Sequence, residues 1–266
     1  MPPEPAARPL SVVQMLPALG SGGVERGTLD VACHLTRSGH RAVVIAAGGR
    51  LRETLIGSGA EHLCWDVGAK RPTTLLWVPR LRRWLIEQRP DVLHLRSRVP
   101  AWVGYLAWHG LPPGDRPALV TTVHGFYTVG RYSAVMTRGQ RVIAISNGVR
   151  EYILRHYPRT DPRAIRVIHR GVDRAQFPYG YRPPADWLAQ WHRDLPQLAG
   201  RYVVTLPARL TRWKGQAHFI DIVAAVKARG APVHGLLVGG ASVKIQQFAE
   251  ILHTASEAIE GLAAAR

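Results

Sequence analysis

The chain has 266 residues, 46% of them apolar, enough to bury one or two cores, and its 35 Lys and Arg against 18 Asp and Glu give a formal charge of +17. Such a field favours anionic partners (nucleic acid, anionic lipid or phosphorylated small molecules) without choosing among them, and the scatter of the cations along the chain argues against a basic binding tail. No apolar run approaches the ~20 residues of a spanning helix, and the opening MPPEPAARPLSVV lacks the apolar region of a signal peptide.

The predicted elements alternate between strand and helix. A strand over 10–16 leads through LPALGSGGVERG into a helix whose Val24, Leu29, Ala32 and Leu35 recur at helical spacing. A strand at 41–47, a short helix near 50–58 and a strand at 61–67 follow. A helix is predicted over 72–90 despite Pro79, with Leu75, Val78, Leu81 and Leu85 as its core stripe. Next come a strand at 91–97, a helix near 99–109, strands at 117–125 and 140–146, a helix over 147–157 and a strand at 164–173. Short apolar runs separated by amphipathic helices predict βαβ units and a parallel sheet covered on both faces. The Pro- and aromatic-rich stretch 178–200 breaks the rhythm and reads as a linker with one short helix. A strand at 201–210, a helix over 213–229, a strand at 233–240 and a terminal helix make up the rest. The expected domains are therefore 1–177, the linker 178–200, and 201–266. Two strands cannot cover two helical faces, so the second unit is expected to lean on the first or to be incomplete. Cys33 and Cys64 have no C-x-x-C spacing and read as buried free thiols in a reducing, cytoplasmic setting.

Three turns concentrate the chemistry. The loop GSGGVERG has Gly20-x-Gly22 at a strand-to-helix step, but Glu25 stands where a dinucleotide fingerprint needs its third glycine. The second strand ends in AAGGR, with no carboxylate to hold a ribose, so a dinucleotide site is disfavoured. What remains is a loop whose backbone N–H groups approach an anion, or glycines that only make a tight turn. His124, in TTVHGFY, follows a strand at the carboxyl edge of the sheet, where open α/β folds bind ligands; the bland alternative is a satisfied polar residue, the reading adopted for His94. Arg209 and Lys214, in LPARLTRWKGQ, flank a strand-to-helix turn in the geometry for two cations converging on a diphosphate; the alternative is a solvated basic loop, the reading for Arg212. Lys70, Arg71, Trp77, Arg80, Arg82, Arg83 and Trp84 form either a solvated basic face or one that rests on anionic lipid.

Taken in order, these segments resemble the retaining glycosyltransferases of family 4. GSGGVER is similar to the family's amino-terminal glycine loop, TTVHG to its donor-side histidine motif, VIAISNGVREYI to its strand–Ser–helix step, and LLVGGA to a strand of its second domain. IRVIHRGVD with Phe177 resembles the segment ending its first domain, with His169-Arg170 replacing Pro-Asn, and ARLTRWKG resembles the Arg-x4-Lys motif opening the second. The resemblance implies an α/β chain of GT-B type, with a complete amino-terminal Rossmann-like domain and an incomplete second one. It implies sugar transfer from a nucleotide-sugar donor to a glycan or lipid-linked acceptor such as lipopolysaccharide core. His124, Arg209 and Lys214 would be catalytic, and Gly22, Gly23, Ser146, Asn147, Gly171 and Asp173 would bind substrate. No cofactor and no metal are expected, because the cations would stabilise the diphosphate, and no nucleic-acid partner is expected. Arg80, Arg83 and Trp84 would meet an anionic membrane surface, placing the protein peripherally on the cytoplasmic side. The family's Glu-x7-Glu segment has no counterpart: Glu250, Glu257 and Glu260 fall in one terminal helix, so the donor site is expected to be truncated and activity impaired. The alternatives are a nonenzymatic fragment that keeps acceptor-side binding, a basic nucleic-acid binder, and a GT-B epimerase, the last disfavoured for want of a carboxylate pair.

Overall fold

The computed structural model describes residues 8–171, 174, 178–208, 211 and 214–239. The chain divides into two compact units, Met1–Val172 and Asp173–Arg266.

The first unit opens with β1 (Ser11–Ala18), α1 (Gly23–Arg37), β2 (Arg41–Ala47), α2 (Arg52–Gly57) and β3 (Glu61–Cys64). It continues with α3 (Trp77–Gln88), β4 (Val92–Leu95), α4 (Arg98–His109), β5 (Ala118–Val123), α5 (Arg131–Ala134), β6 (Arg141–Ala144), α6 (Asn147–His156) and β7 (Ile165–Val167). All seven strands are parallel, in the order β3-β2-β1-β4-β5-β6-β7. The strands read as near-continuous apolar runs because both faces are covered. On one face Val13, Met15, Leu93 and Leu95 pack with Leu81 and Leu85 of α3 and Ala101 and Val103 of α4. On the other, Leu16, Val44 and Ala46 pack with Leu29 and Ala32 of α1 and Leu55 of α2. Helix α4 presses close: a Cβ on Gly104 would run into the Leu95 side chain and lie 3.2 Å from Met15 Sδ. Helix α1 closes at Gly39, whose φ of 77° is a left-handed conformation that glycine adopts without steric cost. Because β1 lies between β2 and β4, the chain reverses its direction of travel across the sheet there, and the carboxyl ends of β1 and β4 border the crevice in which such sheets bind ligands.

Several expectations are corrected. The predicted helix 72–90 is a 3₁₀ turn, Pro72–Leu76, followed by α3. Leu75 lies in that turn and is exposed, so the buried stripe of α3 is Leu81 and Leu85 with Val78 partly covered. Pro79 is tolerated as the third residue of α3, where a backbone N–H has no acceptor within the helix. The strand predicted at 61–67 ends at Cys64, and Trp65 and Val67 leave the sheet for the core. The thiols are free but not buried as expected: Cys33 is half-buried, and Cys64 is exposed because β3 is the edge strand of the sheet. The short α5 and the 3₁₀ turn Val135–Thr137 that buries Val135 and Met136 had no clear signature in the sequence.

In the second unit, α7 (Ala185–Asp194) precedes two parallel strands, β8 (Tyr202–Pro207) and β9 (Val233–Val238), joined through α8 (Gln216–Ala228). The terminal helix expected after 240 lies outside the described residues. Among the described residues no helix is long and apolar enough to cross a membrane.

Candidate functional site

The carboxyl edge of the first unit's sheet gathers side chains that lie far apart in sequence. The glycine loop leaves β1 and is held by the end of β2. Leu19 N–H donates to the carbonyls of Ala47 (3.2 Å) and Gly48 (3.3 Å), and Leu51 N–H donates to the Leu19 carbonyl at 3.0 Å. A Cβ on Gly49 would fall on the Leu19 carbonyl. The region where a dinucleotide fold keeps its ribose-binding acid is therefore filled by backbone packed on backbone. Gly22 caps α1 without a side-chain hydrogen bond, and Gly23 is the first helical residue. Glu25, in place of a third glycine, folds its carboxylate back over Gly22, near the positive end of the helix dipole.

Arg96 follows β4 at the reversal point, its N–H donating to the Met15 carbonyl at 3.0 Å. Its side chain runs into the protein, leaving the residue 5% exposed. Nη1 donates to Gln14 Oε1 at 3.0 Å, while Gln14 Nε2 donates to the Thr28 carbonyl of α1 at 3.1 Å. Gln14 is itself wholly buried in β1, so strand and helix together hold the guanidinium in place. Arg96 Nε has no partner. Burial, and then the nearby charge of Arg170, bring its pKa down to about 10.

His124 follows β5. Its N–H donates to the Tyr127 hydroxyl at 3.1 Å, and its Nδ1 accepts from Arg170 Nη2 at 2.8 Å. An arginine only donates, so the ring proton sits on Nε2 and the imidazole is neutral. Burial, followed by the charges of Arg96 and Arg170, pushes the His124 pKa to about 3. Nε2 is buried and makes no well-formed hydrogen bond, the Arg96 carbonyl being the group nearest to accepting one. Arg170, just beyond β7, also donates from Nη1 to the Gly23 carbonyl, tying the histidine to the amino end of α1.

Gly22, Gly23 and His124, singled out in the sequence, are thus brought to one place by Arg170, and Arg96 joins them. Sequence reasoning gave neither arginine a role. The available signals were an arginine closing the apolar run LHL and the His169-Arg170 departure from the family pattern. Ser146 caps α6, its Oγ accepting from the Val149 N–H at 3.2 Å, and Asn147 is the exposed first residue of that helix. Neither is linked to His124 by a hydrogen bond. Gly171 is exposed beside Arg170. Lys214, in the second unit, donates its N–H to the Thr211 carbonyl at 2.9 Å, in the turn before Gly215 caps α8. Asp173 and Arg209 lie outside the described residues. His94 is a buried residue bonded through Nε2 to Thr122 Oγ1 at 2.7 Å, its pKa held well below the ordinary value by burial and then by Arg96 and His124.

Residues 21–176, a span containing the whole cluster, match the family model described as Glycosyltransferase Family 4. The chain belongs to glycosyltransferase family 4. It is 32% identical over 176 residues to the alpha-maltose-1-phosphate synthase of Mycolicibacterium smegmatis, covering 65% of this chain and 42% of that protein. The synthase of Mycobacterium tuberculosis H37Rv is 30% identical over 143 residues, covering 48% of this chain and 36% of the relative. The chain thus spans less than half the length of these curated relatives. Among solved structures, a glycosyltransferase from Rickettsia africae ESF-5 matches with a TM-score of 0.76 at 29% identity, over 95% of this chain and 66% of that one. Anabaena Alr3699/HepE, solved with UDP and glucose, matches with a TM-score of 0.72 at 20% identity, over 94% and 67% of the two chains, and so shares the fold. The fold class is that of the GT-B glycosyltransferases.

Proposed function

We propose that the glycosyltransferase moves a sugar, with retention of anomeric configuration, from a nucleotide-sugar donor to a glycan or lipid-linked acceptor such as lipopolysaccharide core. The observation that carries this reading is the neutral His124, held by Arg170 at the carboxyl edge beside the glycine loop, with a buried Nε2–H that makes no well-formed hydrogen bond within the protein. In such a transfer the bond from the anomeric carbon to the diphosphate breaks, the diphosphate keeps the electron pair, and an acceptor hydroxyl bonds to that carbon while its proton passes to an oxygen of the departing diphosphate. Attack from the face that the diphosphate leaves would preserve configuration. His124 would donate to an oxygen of the transferred sugar or its phosphate, a fixed dipole placed where charge develops. Arg209 and Lys214 would receive the charge of the departing diphosphate. The family assignment supports the class of reaction, and the glycine loop supports a substrate at this edge.

The test is release of nucleoside diphosphate and product formation by the whole chain, with His124→Ala and Lys214→Ala alongside. Loss of a donor to developing charge is expected to cost roughly 10²–10³-fold in turnover. Turnover unaffected by Lys214→Ala would remove the diphosphate assignment, and binding of acceptor without any turnover would favour the nonenzymatic reading.

A peripheral position on an anionic membrane is supported by the surface around α3, in altered form. Trp84 packs edge-on against Trp65 at 6.5 Å. The groups that face outward include Leu75 and Leu76, 54% and 73% exposed, the exposed Arg80 and Arg83, and Arg71, which pairs with Asp66 at 2.9 Å. Arg80 lies 4.9 Å from the ring centroids of both Trp65 and Trp77, which are stacked 5.2 Å apart. Exposed leucines among cations are the composition of an interfacial contact. Co-sedimentation with vesicles is expected to require anionic lipid and to weaken in Leu75→Ser/Leu76→Ser; sedimentation independent of lipid charge would dismiss this part of the reading.

A further inference from the structure

A second concave surface lies in the first unit and shares no residue with the cluster around His124. Beyond β3, the turn that leads into α3 and the first residues of that helix enclose a cavity of about 310 Å³. Packing fixes its frame. A Cβ on Gly68 would fall on Pro17 of β1, so the turn lies directly against the sheet. Thr74, in the wall, donates from Oγ1 to the Ala69 carbonyl at 2.7 Å and from its N–H to the Arg71 carbonyl at 3.1 Å. Trp65, buried in the core, supports Trp77 of the wall from behind by stacking on it.

The charges of the cavity do not balance. Arg71 is matched by Asp66, but Arg80 has no carboxylate within ion-pair distance among the described residues. No Asp or Glu occurs between Val67 and Ile86. Arg80 rests its guanidinium over the rings of Trp65 and Trp77. Stacking of that kind engages the face of the guanidinium and leaves its N–H edge for an anion. Thr73 adds an exposed hydroxyl that makes no hydrogen bond among the described residues. The lining therefore carries one net positive charge, which one singly charged phosphodiester neutralises. The rim is apolar: Leu76 lines the cavity, Leu75 adjoins it, and both are exposed. Consecutive exposed leucines beside a cationic cavity suit an amphiphile, whose head enters the cavity while its chains meet the leucines. The volume is at the low end of the roughly 300–1,000 Å³ of ligand pockets, room for a headgroup and not for a whole lipid.

We infer that this cavity binds the head of one anionic phospholipid, with the phosphodiester on the N–H edge of Arg80 and the Thr73 hydroxyl and the acyl chains against Leu75 and Leu76. The inference rests on the reading of this face as membrane-facing for the source of the ligand. It adds a discrete, saturable site, where that reading needs only diffuse attraction between cations and lipid charge. A zwitterionic head is disfavoured, because the one carboxylate of the lining, Asp66, is already paired and leaves a choline ammonium without a partner.

The experiment is calorimetric titration of the full chain with dihexanoyl phosphatidylglycerol below its micelle concentration, with dihexanoyl phosphatidylcholine, and with chainless glycerophosphoglycerol. Phosphatidylglycerol is expected to bind one to one and at least about tenfold more tightly than either of the others, through charge-assisted bonds and chain burial together. Arg80→Gln should weaken it by about tenfold, and Arg83→Gln, outside the cavity, by less than about twofold. Both positions are exposed, so circular dichroism should match the wild type. Leu75→Ser/Leu76→Ser should weaken phosphatidylglycerol by about tenfold and leave glycerophosphoglycerol unchanged, a split that misfolding would not produce. Equal affinity for phosphatidylcholine, or equal losses in Arg80→Gln and Arg83→Gln, would overturn the site. So would glycerophosphoglycerol bound as tightly as the lipid, which would mark a soluble phosphodiester as the ligand. Vesicle binding that needs anionic lipid, without one-to-one binding of the soluble lipid, would remove the pocket and leave the membrane-facing surface standing. Saturable binding of the soluble lipid with no sedimentation on vesicles would do the reverse.

Discussion

Arg96 and His124 answer one electrostatic condition in different ways. The arginine keeps its charge although burial lowers its pKa to about 10, whereas the histidine, at about 3, gives up its proton and becomes a donor through Nε2 only. A histidine that is neutral in the fold ties stability to pH. Above its ordinary pKa of 6.5 folded and unfolded chains agree on its charge; below it the unfolded chain binds a proton that the folded chain refuses until about 3. His94 acts in the same direction. Stability is therefore expected to fall as pH is lowered from about 7 to about 5, read as the urea midpoint, and His124→Gln should flatten that slope. Gly27 gives a second residue-scale prediction. In Gly27→Ala the helix gains propensity worth about 1 kcal/mol, but the new methyl displaces the guanidinium ends of Arg96 and Arg170. The thermal midpoint should hold or rise, because the far ends of two flexible side chains yield more cheaply than backbone would, and a fall would show the guanidinium ends to be held rigidly.

At the scale of elements, close approaches decide which substitutions the fold tolerates. Helix α4 reaches β1 and β4 through Gly104, and Gly104→Ala is expected to cost about 1–3 kcal/mol by overpacking against Leu95 and Met15, measured by denaturant unfolding. Helix α6 begins with a side-chain cap, so Ser146→Ala should cost about 1 kcal/mol in the same assay. These elements explain what was legible in the sequence. Period and turn chemistry are local, so the alternation of strand and helix, the glycine loop and the strand-end His124 could be read from it. The turn Pro72–Leu76 was misread because its apolar spacing continues that of α3, and only packing showed that Leu75 faces outward. The exposure of Cys64 likewise depends on β3 being an edge strand, a property of the sheet as a whole.

For the whole molecule, the buried core lies overwhelmingly in the first unit. Among the described residues of the second, only Leu198, Gln216 and Val233 are buried, while Tyr202, Val203 and Val204 of β8 are exposed. Local opening free energy follows such burial. Amide exchange is thus expected to be much faster in β8, α8 and β9 than in β1, β2 and β4, and comparable protection in the two units would contradict this. The charge of +17 acts over a distance that salt shortens. Contact with an anionic vesicle through exposed Arg80 and Arg83 should weaken steeply as salt shortens the screening length from ~10 Å at 0.1 M to ~3 Å at 1 M.

The sequence by itself determined that this is an alternating α/β chain of glycosyltransferase family 4 type, that its first loop is not a dinucleotide fingerprint, and that His124 stands at a strand end. Those properties reside in neighbouring residues, where periodicity, glycines and strand ends declare themselves. Only the tertiary structure decided which strands adjoin, and with that which side chains meet. By setting β1 beside β4 it brought Arg96 to the reversal point, and by carrying the chain through β7 it returned Arg170 to the amino end of α1. The uncompensated charge of that pair exists only once the sheet is assembled, because Coulomb repulsion depends on distance in space and not on separation along the chain.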